Sequence, residues 1–94
     1  MPSANQSIGS NGVEFLVDGT ERTITLLSRG GYVCNTGTVD FYVNFEGAAV
    51  VITQPGGAGN IRVSVGATVP IPSTVGAFKI KSTAGDTYAT VTPL

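Results

Sequence analysis

The side chains able to do acid–base, nucleophilic or metal chemistry in this chain are few: six carboxylates, one thiol and no imidazole. Without histidine, the Ser–His and Cys–His arrangements that activate a nucleophile are absent. Hydrolysis by paired acids needs two positioned carboxylates. The acids are Glu14, Asp18, Glu21, Asp40, Glu46 and Asp86, and their spacing requires no two of them to meet. Asp18 or Asp86 with turn carbonyls could ligate calcium, but the chain holds no recognised calcium-loop pattern. The single Cys34 permits no intrachain disulfide, and without His it supplies no zinc site of the usual ligand set. Gly56-Gly57-Ala58-Gly59 lacks the lysine and following helix of a phosphate-binding loop. The expectation is a protein that is not an enzyme, with no catalytic residue, no metal and no cofactor.

The elements carrying these residues are set by an apolar period of two. Val13, Phe15 and Val17 alternate with Glu14, Leu16 and Asp18, and Ile24 and Leu26 with Thr23, Thr25 and Leu27. Val39, Phe41, Val43 and Phe45 alternate with Asp40, Tyr42, Asn44 and Glu46. Ile61, Val63 and Val65, then Phe78 and Ile80, and finally residues 87–92 repeat the pattern. Such alternation marks strands buried on one side. The 12 valines and 12 threonines favour a pleated backbone, and no stretch shows helical spacing. Asp18-Gly19 reads as a tight hairpin turn. Arg29-Gly30-Gly31, Asn35-Thr36-Gly37 and Ala84-Gly85-Asp86 read as further turns. Residues 54–60 are too glycine-rich for a strand and read as the longest loop. Val69-Pro70-Ile71-Pro72 cannot sit in a central strand, because each proline removes a ladder donor, and reads as an edge or an extended connection.

The predicted fold is all-β: a single small β-sandwich or β-barrel of seven to eight short, mostly antiparallel strands over residues 13–94. Residues 1–12 show no alternation and read either as a flexible tail or as an N-terminal arm that orders on a neighbouring subunit. In this scheme the four phenylalanines point inward, whereas Leu16, Leu27, Tyr42 and Tyr88 fall on the outward phase. Collected in one patch, they would mark an interface; scattered, they are ordinary surface. Cys34 shares a strand face with Tyr32 and reads as a small buried hydrophobe.

A domain of 94 residues buries only roughly 60–65% of its unfolded surface; with disulfide and zinc excluded, support from partner subunits remains open, beside stability as a single domain. The net charge of −1 and five scattered cations oppose a nucleic-acid partner, which calls for a basic stripe. Charged residues make up 12% of the chain, against about 25% in ordinary soluble domains. That fits either a chain packed in an assembly or a Ser- and Thr-rich surface that is soluble without charge. No apolar run approaches membrane-spanning length, and residues 1–6 lack the basic and apolar regions of a secretory signal.

The C-terminal part runs Asn60-Ile-Arg-Val-Ser-Val-Gly66, Val69-Pro-Ile-Pro72, Phe78-Lys-Ile-Lys81, Ala84-Gly85-Asp86 and Tyr88-Ala-Thr-Val-Thr-Pro93, after Asn35-Thr36-Gly37 upstream. Over about residues 35–94 this succession resembles small virion proteins of tailed bacteriophages, especially capsid decoration (cement) proteins. The resemblance implies a non-enzymatic β-sandwich or barrel on the capsid exterior, assembled in the host cytoplasm. It further implies homo-oligomers, trimers foremost, that bind the major capsid protein or other virion subunits and clamp coat subunits together. An N-terminal arm carries contacts in such proteins, which directs attention to Asn5, Gln6 and Ile8 beside Leu16, Leu27, Tyr42 and Tyr88. A tail, neck or baseplate component, or an accessory carbohydrate-binding module, are the alternative readings.

Overall fold

In a computed structural model of the chain, which describes residues 6–8, 12–27, 29–46 and 60–93, the alternating segments become strands and no described residue is helical. The strands are β1 (Gln6–Ile8), β2 (Val13–Val17), β3 (Arg22–Leu26), β4 (Gly31–Asn35), β5 (Phe41–Asn44), β6 (Asn60–Val63), β7 (Thr68–Ile71), β8 (Ala77–Ser82) and β9 (Thr87–Pro93). One sheet has the order β1-β3-β8-β5-β6 and the other β2-β9-β4-β7. Setting β1 aside, eight antiparallel strands form two four-stranded sheets, and the fold is a sandwich, not a closed barrel.

Every connection except β5–β6 passes from one sheet to the other. The orders 2-9-4-7 and 3-8-5-6 with those crossings are the connectivity of a jelly roll. The inward residues of both sheets, among them Phe15, Val17, Ile24, Val33, Phe41, Val43, Val63, Phe78, Ile80 and Val91, form one core.

The connection at Asp18-Gly19 corrects the hairpin reading. A tight two-residue hairpin of type I′ needs positive φ at both residues, and neither has it. Instead Asp18 Oδ1 accepts from Thr20 N at 2.9 Å, and the Asp18 carbonyl accepts from Ser82 N at 2.9 Å. The second bond ties the corner to β8, so β3 joins the opposite sheet from β2. Gly85, with φ +73°, turns β8 into β9 in the same inter-sheet manner. Residues 54–59 lie outside the described residues, and Asn60 begins β6.

The corner after β4 is held by one buried amide. Asn35 Nδ2 donates to the Val39 carbonyl at 2.9 Å and to the Val63 carbonyl at 3.0 Å. Its Oδ1 accepts from Gly37 N at 3.0 Å and from Thr87 Oγ1 at 3.2 Å. Both donors and both acceptor positions of the amide are used. Gly37 is required here because an added Cβ would run into the Thr87–Tyr88 backbone, 2.9 Å from Thr87 Cα.

The edges at β7, β3 and β2 are each blunted. β7 carries Pro70, which has no N–H to offer, as its sequence foretold. β3 is covered by β1, which pairs with it in parallel, Gln6 to Ile24 through Ile8 to Leu26. On β2, the Leu16 carbonyl is taken by the Arg22 guanidinium, which also lies 5.2 Å from the centre of the Phe15 ring.

Candidate functional site

The two outer faces of the sandwich differ in charge. On the β3-β8-β5-β6 face, register sets Lys81 beside Tyr42 and Tyr42 beside Arg62. Arg62 Nε donates to Asp40 Oδ2 at 2.9 Å, and Asp40 Oδ1 accepts from Val65 N at 2.9 Å. The Arg62 hydrogen bond, followed by that of Val65, holds the Asp40 carboxyl below its ordinary range. Arg62 is raised in turn, chiefly by Asp40. Lys79 and Glu21 form a loose pair at 3.9 Å. Three of the five cations therefore sit on this one face.

The β2-β9-β4-β7 face presents three rows. Leu16 stands opposite Tyr88, and the Tyr88 carbonyl accepts from Thr36 N at 3.0 Å. That bond points the Tyr88 backbone toward β4, so Leu16 and Tyr88 are a non-hydrogen-bonded pair, the closer type, with Cα atoms about 4.5 Å apart. The middle row is Glu14–Thr90–Cys34–Thr68. The third is Thr92–Tyr32–Pro70. Thr36 Oγ1 donates to Glu14 Oε2 at 2.7 Å and lies 3.2 Å from Thr90 Oγ1. Tyr32 and Tyr88 are each 48% exposed and Leu16 37%. Glu14 is the one charge in these rows.

A third feature lies at one end of the sandwich. Leu27, 71% exposed, follows Leu26, whose N–H donates to the Gly76 carbonyl at 2.8 Å. Leu26 is also the partner of Ile8 at the end of β1.

The predicted site residues thus divide. Leu16 and Tyr88 are direct partners on one face, whereas Leu27 stands apart, directly after Leu26, the β3 partner of Ile8. Asn5 lies outside the described residues. Tyr42 is corrected: its phase is outward, yet it is 3% exposed. It lies on an inner strand with Lys81 and Arg62 on either side. Long cationic side chains cover an aromatic neighbour with their stems, so Tyr42 is not free surface. Cys34 is also corrected; it is half-buried on the outer face, not in the core.

Tyr32 was missed as a surface group. In 31–35 both parities carry apolar residues, Tyr32 and Cys34 against Val33, so alternation did not set the inward side. Arg22 was missed too: it occupies an inward position and is buried. Burial pushes its guanidinium below its ordinary value, partly opposed by Asp18. Among the described residues no three His, Cys, Asp or Glu side chains gather as a metal site. No described helix is long and apolar enough to cross a membrane. No family model, curated protein or solved structure matches the chain.

Proposed function

We propose that the protein is a non-enzymatic virion structural protein, a decoration protein that binds the outside of a phage capsid and stabilises contacts between major capsid subunits. The observation that carries this reading is Leu27, a large apolar side chain 71% exposed at the end of the sandwich, next to the pairing of β1 with β3. An exposed leucine beside an N-terminal strand gives a docking point distinct from both sheet faces. The resemblance of residues 35–94 to decoration proteins supplies the class of partner, and the low content of charge supports a life in an assembly. Many copies, each burying a modest surface, would add strength through multivalency.

The test is co-sedimentation of the purified protein with expanded empty capsids, together with capsid melting. Binding and a gain in capsid thermal stability are expected, both weakened by Leu27→Asp. Light scattering should report a homo-oligomer, a trimer foremost. No co-sedimentation and no gain in capsid stability would overturn the reading.

A further inference from the structure

The β2-β9-β4-β7 face has an order that a shell contact at Leu27 does not use. Two apolar pads, Leu16–Tyr88 and Tyr32–Pro70, stand at opposite corners. Between them runs the polar row Glu14–Thr90–Cys34–Thr68. Tyr88 lies level with Thr36, four residues along β4 from Tyr32 and one strand across. The Cα atoms of the two tyrosines are therefore about 14 Å apart along the sheet, a span suited to a short extended chain of rings.

The chemistry narrows the occupant. Arg62, Lys79 and Lys81 belong to the other sheet, Arg22 reaches the edge carbonyl of β2, and Arg29 precedes β4 with its side chain against Gly76, so no cation stands in these three rows. A phosphate, sulfate or carboxylate ligand lying on the rows would meet Glu14 and no counter-charge among them. A purely apolar partner would strand the Glu14 carboxylate and the threonine hydroxyls without water. A ligand with apolar C–H faces and many hydroxyl edges satisfies both kinds of surface. Its C–H faces stack on half-exposed tyrosine rings, and its hydroxyls donate to Glu14 and exchange hydrogen bonds with Thr90, Thr68 and Thr92. Glu14 Oε2 accepts from Thr36 Oγ1, which draws the carboxylate from β2 across β9 toward β4.

From this we infer that the outer face of the β2-β9-β4-β7 sheet binds a neutral glycan, with Tyr88 and Tyr32 as stacking platforms and Glu14 as the principal hydroxyl acceptor. The site goes beyond the capsid reading and is independent of it, since the proposed shell contact is at Leu27.

The experiment is amide-detected NMR titration of the full chain with maltohexaose, cellohexaose and N-acetylchitohexaose, and with heparin hexasaccharide as the anionic counter-probe. Saturable shifts confined to β2, β9, β4 and β7 with at least one neutral sugar are expected. Tyr32→Ala and Tyr88→Ala should each weaken binding about two- to tenfold, with melting temperature checked because both side chains are half exposed. Glu14→Gln should weaken it, and Leu27→Asp should leave it unchanged. Absence of shifts with every neutral sugar at millimolar concentration overturns the inference. So does binding that survives both tyrosine variants, or heparin binding as strong as that of the neutral sugars. Loss of capsid co-sedimentation in the tyrosine variants but not in Leu27→Asp would assign the face to the shell and overturn it as well.

Discussion

Truncating Asn35 to alanine removes four hydrogen bonds at the corner where β4 leaves its sheet. Two of them, to the Val63 carbonyl and from Thr87 Oγ1, are fully buried; the bonds to the Val39 carbonyl and from Gly37 N are partly buried. At about 1 kcal/mol net for each bond, complete loss would cost about 4 kcal/mol. Water can reach the two partly buried groups, which brings the expected loss to about 3 kcal/mol. A domain of this length has a stability of roughly 5–14 kcal/mol, so the variant should fold. Its melting temperature should fall by roughly 15 °C, from an unfolding entropy of about 0.2 kcal/mol/K. Urea denaturation followed by circular dichroism should show a lower midpoint at an unchanged slope. Asn35→Asp supplies a second arm. A carboxylate keeps the acceptors but turns a negative charge toward the Val39 and Val63 carbonyls, which raises its folded pKa. A group raised in this way gives its full stability below the unfolded value of about 3.9 and loses it as pH rises through the folded value. The aspartate variant should therefore approach the native protein at acid pH and diverge from it at neutral pH. A loss of less than about 1 kcal/mol for Asn35→Ala, or an aspartate variant with no added pH dependence, would refute the view that this amide pins the corner.

Gly37→Ala should cost more than about 3 kcal/mol, because the added carbon meets Thr87 and the Tyr88 backbone. Gly19→Ala, with nothing within 4 Å of its added carbon, should stay within about 0.5 kcal/mol of the native protein; paired thermal melts check both. Asp40, whose folded pKa is depressed by Arg62 and Val65, gives stability that is present above its unfolded pKa and lost as pH falls through the folded value. Asp40→Asn should flatten the fall in melting temperature below about pH 4, read from melts across an acid series. Arg22→Met keeps apolar bulk beside Phe15 but removes the donor to the Leu16 carbonyl. It should cost about 1.5–3 kcal/mol in urea unfolding and, by opening the β2 edge, increase self-association in light scattering.

The sequence by itself determined which side of most strands faces the core. Period-two alternation is a local property of the backbone, so Phe15, Phe41 and Phe78 could be assigned inward and Leu16, Leu27 and Tyr88 outward without knowing any strand's neighbours. Pro70 likewise kept residues 69–72 out of a central strand, because a missing N–H is a property of one residue, and the sheet order made Thr68–Ile71 the edge strand β7. What only the tertiary structure decided is pairing across distance. Asp18-Gly19 shows that the chain bends but not which sheet it enters; the bond from Ser82 N settles that, from 64 residues away. The same dependence hid Tyr42, outward in phase yet covered by neighbours on β8 and β6. It also hid Tyr32, whose strand is apolar on both parities. The candidate face follows from that pairing: β2, β9, β4 and β7 are far apart in the chain. Only their hydrogen-bonded register brings Leu16 to Tyr88 and Tyr32 to Pro70.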